Sequence, residues 1–261
     1  MASDLLATYR DTVQDLPQYP TTCFSKSPIV TPMWAHYGKD HSGFVLEFDA
    51  DALRGHFDGV AVEDVTYRDE PDTSIVKHLE RAAAIAKPRH VYWLRQAVLH
   101  HAYFSKHTSW TYEQECRLVD QHDFSEDIAG NRILFVPIEC VTSVIAGHKI
   151  AVPALQASVK LAEANDLDWY QAVIGKSHGL PFFKNGSGRT FVFGDECIEA
   201  AAYVCETCAE PVAEGHELCP WCSITEQDEI NAASRNPYRI LDRYNLLGRY
   251  IKDAEKISGS T

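Results

Sequence analysis

The chain has 261 residues, 45% of them hydrophobic, and a formal net charge of −13. That length accommodates one large domain plus an accessory module, and the apolar share supports a packed core. A surface this acidic repels a polyphosphate backbone, which disfavours bulk binding to nucleic acid, and no apolar run is long enough to span a bilayer. Residues 1–20 predict a short helix and then a loop marked by Pro17 and Pro20. Residues 23–25 predict a brief strand. Residues 43–48 alternate and are rich in strand formers, so they predict a second strand, with Asp49 capping a helix that starts over 49–53. Residues 60–67 predict a further strand. Residues 75–104 form the main helical region, with Ile75, Leu79, Ala82, Ala83 and Ala86 on one face and Val91, Leu94 and Val98 continuing the spacing. Pro88 predicts a kink or a division into two helices there. Residues 110–119 are expected as one strand, followed by β-rich runs over 132–138 and 141–146. A helix is expected from Pro153 through Asn165, and a hairpin around the turn at 184–188. Asn236 and Pro237 are a cap and first-turn proline. Ile240, Leu241, Tyr244, Leu247 and Ile251 then make one apolar stripe, and residues 258–261 a frayed end.

Cys205, Cys208, Cys219 and Cys222 form two Cys-x2-Cys pairs. Two such knuckles face to face place four thiolates at the corners of a tetrahedron, the geometry that Zn2+ accepts. The intervening loop, with Pro211 and Gly215, folds back as a ribbon. Four sulfurs leave no open position for water, so the site reads as structural. The alternatives are two disulfides or four unrelated thiols. Cys23, Cys116, Cys140 and Cys197 show no paired spacing, and residues 1–10 carry no basic segment followed by an apolar one. The expected compartment is the reducing cytoplasm. The element order predicts an α+β fold: a mixed or antiparallel sheet with a helical insertion, then the zinc ribbon and a C-terminal amphipathic helix. The expected boundaries are 1–195, 196–226 and 227–261.

Two blocks carry candidate chemistry. On a strand, Glu113, Glu115 and Arg117 share one face, because side chains alternate. Paired carboxylates beside a guanidinium can bind a ribose or stabilise positive charge on a sugar. The alternative is a solvent-facing strand edge holding an ion pair. The second block, Met33-Trp34-Ala35-His36-Tyr37, offers an aromatic wall and one group titrating near neutrality. Its alternative is ordinary core packing. There is no dinucleotide fingerprint, phosphate loop, His-Glu-x-x-His or nucleophile elbow. The basic C-terminal positions Arg235, Arg239, Arg243, Arg249 and Lys252 read as a solvated helix face.

Taken in order, Cys23-Phe24-Ser25, Met33-Trp34-Ala35-His36-Tyr37, His41-Ser42-Gly43-Phe44 to Glu47-Phe48, Val65-Thr66-Tyr67, Phe104-Ser105-Lys106, Trp110-x-Tyr112-Glu113-x-Glu115-x-Arg117 and Val144-Ile145-Ala146-Gly147 resemble a widespread bacterial family carried as a domain of unknown function. The resemblance covers roughly residues 20–150. More distantly, the layout is similar to ADP-ribosyltransferase-like folds. That likeness implies Glu115 as the ribose-binding carboxylate, Glu113 as its partner, and NAD as the cofactor held against Trp34 or Tyr37. With Arg117, His36 and Tyr37 these make the expected catalytic set. Family members carry some tens of residues before the Cys-Phe-Ser element, so any group supplied there would come from a partner or be missing here. The implied function is a bacterial effector, toxin or phage-defence protein, transferring ADP-ribose. The alternative is a non-enzymatic binding module, in which the ribbon or the C-terminal helix recruits a protein or, less expected at this charge, nucleic acid. A metal-dependent nuclease using Glu113, Glu115 and His36 is a third reading, and it lacks a nearby Asp-x-Asp pair.

Overall fold

The computed structural model describes residues 2–258. The chain is α+β and divides into two compact units, residues 1–174 with 180–200, and residues 175–179 with 201–261. In the first unit a six-stranded mixed sheet runs in the order Ile198–Ala200, Thr190–Phe193, Phe182–Asn185, Asp168–Val173, Val141–Ala146, Phe44–Phe48. Val141–Ala146 and Asp168–Val173 are parallel, because the helix Val152–Ala164 carries the chain back between them. The other neighbours are antiparallel. The expected hairpin is the pair Phe182–Asn185 and Thr190–Phe193. A second, three-stranded antiparallel sheet has Glu115–Val119 at its centre, between Thr21–Ser25 and Ala61–Asp64.

Each sheet has its own core. Trp34, Ile145, Tyr170, Ala172 and Phe183 pack on the large one, and Leu53, Phe57, Leu118 and Cys140 on the small one. Asp49 caps the helix Ala50–His56 as expected, its carboxylate accepting from the amides of Asp51 (2.8 Å) and Ala52 (2.9 Å). Pro88 separates two helices, Ser74–Ile85 and Pro88–Phe104. Ala86 is left-handed at φ 51° and Lys87 is extended, the conformation that a following proline imposes.

Three expected elements are corrected. Residues 60–67 are not one strand. Ala61–Asp64 joins the small sheet and Thr66–Tyr67 pairs in parallel with Ser105–Lys106, because the Val65 amide turns to the Glu115 carbonyl (2.9 Å). Residues 110–119 are not one strand either. Thr108–Glu113 is a 3-10 helix, Gln114 is left-handed at φ 45°, and the strand begins at Glu115. In the second unit, the C-terminal part holds three helices, Glu226–Arg235, Pro237–Arg243 and Leu247–Ser258. Asn236 does cap its helix, accepting from the Tyr238 amide (3.0 Å), yet the apolar stripe breaks where Asn245 adopts φ 56°. Of the expected frayed end, Ser258 closes the last helix and residues 259–261 lie outside the described residues.

Candidate functional site

The short strand Ser105–Lys106 ends the long helix Pro88–Phe104 and turns directly into the 3-10 helix. The His107 ring nitrogen accepts from the Ser109 amide (3.2 Å) and so caps that turn. Ser25 donates from its hydroxyl to the Glu113 carbonyl (2.8 Å), and the Glu115 amide donates to the Tyr67 hydroxyl (2.8 Å). These contacts pin the 3-10 helix and the strand after it. Gln114 reverses the backbone between them, so Glu113 and Glu115 reach the same ammonium from different elements.

That ammonium is Lys106. It donates to Glu113 in a short bond and to Glu115 at 3.2 Å. Both acids are buried, Glu113 2% and Glu115 5% exposed. Arg117 grips Glu115 at both oxygens, Nε to Oε1 at 2.8 Å and Nη2 to Oε2 at 3.0 Å, and also donates to the Tyr103 carbonyl. Burial alone would raise the Glu115 carboxyl. The Arg117 guanidinium, the Cys23 thiol and Lys106 overcome it and hold the group at about 2. Loss of solvent and the neighbouring carboxylate push the Cys23 thiol up to about 11, so it stays protonated. Lys106 is raised against the opposing effect of burial by its two carboxylates, and stays charged.

Tyr37 closes the network on its outer side. Its hydroxyl donates to Glu113 Oε1 at 3.3 Å while the residue is 68% exposed. Partial desolvation and the Glu113 carboxylate raise its pKa, which keeps the proton in place. His36 is exposed, its ring 6.2 Å from Tyr37 and 6.5 Å from Tyr112. Trp110 is exposed, tilted on Tyr112 at 6.1 Å, with the Lys106 ammonium 4.7 Å from its ring centre. A buried acid pair therefore lies behind an exposed aromatic rim.

Trp34 is not part of that rim. It is 2% exposed, donates to the Pro28 carbonyl (2.8 Å), and stacks on His41 with ring centres 4.9 Å apart. The role of ligand platform expected for it does not fit this placement, and Trp110 and Tyr112 occupy the position instead. Lys106, Cys23 and Ser25 had no role in the sequence reading. Lys106 stands nine residues from Glu115, and no local spacing pairs a lysine on one strand with acids that follow a helical turn.

In the second unit the four cysteines do converge. Their sulfurs lie within 4.8 Å of one another, with Cys208 and Cys219 at 3.7 Å. A tetrahedron with metal–sulfur bonds of about 2.3 Å has edges of about 3.8 Å, so the set fits a metal ion such as zinc. All eight cysteines are free, which removes the disulfide alternative. The Cys219 amide and its neighbours lower the Cys205 thiol to about 6, and the Ser177 hydroxyl lowers Cys219. Ala209 at φ 58° and Gly215 at φ 81° make the reversals that bring the knuckles together. Glu210, 3% exposed, accepts from the amides of Lys176 (3.4 Å), Ser177 (2.8 Å) and His178. Its Oε2 is 3.9 Å from the Cys208 sulfur. A side chain at Gly175 would meet Glu210 Oε1 at 2.2 Å, so glycine is required for that approach.

Among the described residues, no helix is long and apolar enough to cross a membrane. Residues 33–118 match a family described as "Protein of unknown function (DUF2971)". The matched stretch holds Tyr37, Lys106, Glu113, Glu115 and Arg117, and leaves out the four clustered cysteines. Neither the curated proteins nor the solved structures yield a match to this chain.

Proposed function

We propose that Glu113, Tyr37 and Lys106, held by Glu115 and Arg117, form a glycosyl-transfer site that takes ADP-ribose from NAD. The observation that carries this is the convergence of positions 37, 106, 113 and 115 on one hydrogen-bonded network with an exposed tyrosine at its mouth. In such a transfer the bond between the ribose C1′ and the nicotinamide nitrogen breaks, and its electron pair leaves with neutral nicotinamide. Positive charge then builds on the ribose ring, where a carboxylate stabilises it. An acceptor oxygen or nitrogen bonds to C1′ and gives its proton to a Glu113 oxygen. Glu113 suits the task better than Glu115. Both Glu115 oxygens are taken by Arg117, whereas Glu113 Oε1 meets only the longer Tyr37 contact, which a ribose hydroxyl can replace. Glu115 then positions Lys106 and Arg117. Tyr37, Trp110 and Tyr112 supply flat faces for nicotinamide.

In this reading the metal of the second unit is structural zinc, and the ribbon or the C-terminal helices carry the contact to a target protein. The chain is then a bacterial effector, toxin or phage defence, working in a reducing cytoplasm. The test is nicotinamide release from NAD by the purified full chain. The wild type is expected to release it, and Glu113→Gln to lower the rate by about a hundredfold with unchanged NAD affinity. Wild-type protein that neither binds NAD nor frees nicotinamide would sink the proposal.

A second reading has one observation in its favour. Two carboxylates face two cations, so the cluster is electrically balanced without any ligand. It would then be a structural staple in a binding module. In that case Glu113→Gln lowers the melting temperature and leaves no activity to lose.

A further inference from the structure

The helices Ser74–Ile85 and Pro88–Phe104 border a groove of about 480 Å³ lined by His78, Arg81, Arg89, His90 and Trp93. Every lining residue is cationic, imidazole or indole. From residue 74 to residue 95 the chain carries Lys77, Arg81, Lys87, Arg89 and Arg95 against Glu80 alone. Arg95 is committed elsewhere, to Asp15 at 2.6 Å. None of Lys77, Arg81, Lys87 and Arg89 forms an ion pair among the described residues, although the whole chain has a net charge of −13. On so acidic a protein, unneutralised cations gathered at one concavity are a local anion site. Trp93 is 55% exposed beside Tyr92, 54% exposed, and the two rings meet edge to face at 5.5 Å. An indole face therefore stays open next to the guanidinium groups.

The chemistry that matches cations and a free indole face in one groove is a phosphate ester attached to a flat base. We propose that this groove binds a nucleotide, with its phosphate between Arg81 and Arg89 and its base against Trp93. The volume falls in the range of sites that take a ligand of that size. The source is a nucleotide within a single strand or a free mononucleotide, and stacking with phosphate pairing serves both. His90 supports the assignment. Loss of solvent, then Arg89, Arg81 and Lys87, lower its pKa, which places those three cations around the ring. The groove is a separate place from the Glu113 cluster. Trp93 stands eleven residues before Phe104 on one helix, a rise of about 16 Å before the chain reaches Lys106.

The test is fluorescence anisotropy of the full chain with a labelled single-stranded oligonucleotide of about twelve residues, and competition by AMP and by inorganic phosphate. Oligonucleotide binding that weakens with salt, falls roughly tenfold or more in Arg81→Ala/Arg89→Ala, and falls in Trp93→Ala while Trp93→Phe retains it, supports the proposal. Displacement by AMP at equal nucleotide concentration assigns the free mononucleotide, and its failure to displace assigns the strand. Absence of both oligonucleotide and AMP binding overturns the proposal. So does binding that survives the double substitution, or that inorganic phosphate matches with Trp93→Ala neutral. All three side chains sit on exposed positions, and an unchanged melting temperature in each variant confirms an intact fold. The outcome is independent of nicotinamide release, since the variants touch neither Glu113 nor its neighbours.

Discussion

Glu115 accepts three charge-assisted hydrogen bonds while 5% exposed, and that combination makes it a stability determinant whatever the site does. Glu115→Gln leaves Arg117 and Lys106 partly buried with half their counter-charge. The expected loss is about 3 kcal/mol in denaturant unfolding at neutral pH. The carboxyl is held at about 2 in the folded chain against an ordinary 4.5. A depressed folded value means that this contribution is complete above pH 4.5 and drains as the pH falls toward 2. Unfolding midpoints measured across that interval should drop more steeply for the wild type than for Glu115→Gln. Parallel curves for the two proteins would contradict the assignment. Trp34 teaches the opposite lesson at the same scale. Its neighbours in sequence, His36 and Tyr37, are exposed, while the indole faces inward to His41 and the large sheet. A residue type suited to ligand stacking is equally suited to a core, and which one applies depends on the helix Thr31–His36 being half buried.

At the scale of elements, the helical hairpin shows local chemistry acting as expected. Lys87 precedes a proline and is forced out of the helical region, so the first helix must end on Ala86. Ala86 takes the left-handed conformation at φ 51°, where a Cβ is unfavourable. Ala86→Gly is therefore expected to stabilise the chain by about 0.5–1 kcal/mol, read as a higher urea midpoint. A lower midpoint would mean that the Ala86 methyl packs usefully. The 3-10 helix Thr108–Glu113 shows where local reading ends. Its residues alternate like a strand, yet Ser25, Tyr67 and Lys106, all remote in sequence, capture the segment and require Gln114 to turn. Tertiary hydrogen bonds overrode a strand pattern there.

At the scale of the molecule, the chain divides into a two-sheet unit and a metal-type unit, and each can be probed alone. The purified protein is expected to hold about one zinc per chain and to lose it in Cys219→Ser. Chelation should then expose residues 201–225 to protease, because four thiolates without a metal have no other reason to stay together. A full-length product resistant to protease after zinc removal would show that hydrogen bonds suffice. The cysteine spacing, the Asp49 and Asn236 caps, the Pro88 break and the α+β order were all legible along the chain, because each depends on contacts within a few residues or on the φ/ψ limits of one residue type. The meeting of Tyr37, Lys106, Glu113 and Glu115, the core placement of Trp34 and the groove of Arg81, Arg89 and Trp93 were decided by the tertiary structure. They depend on which distant segments pair and which faces are buried, and pairing energies summed over two sheets leave no imprint in local spacing.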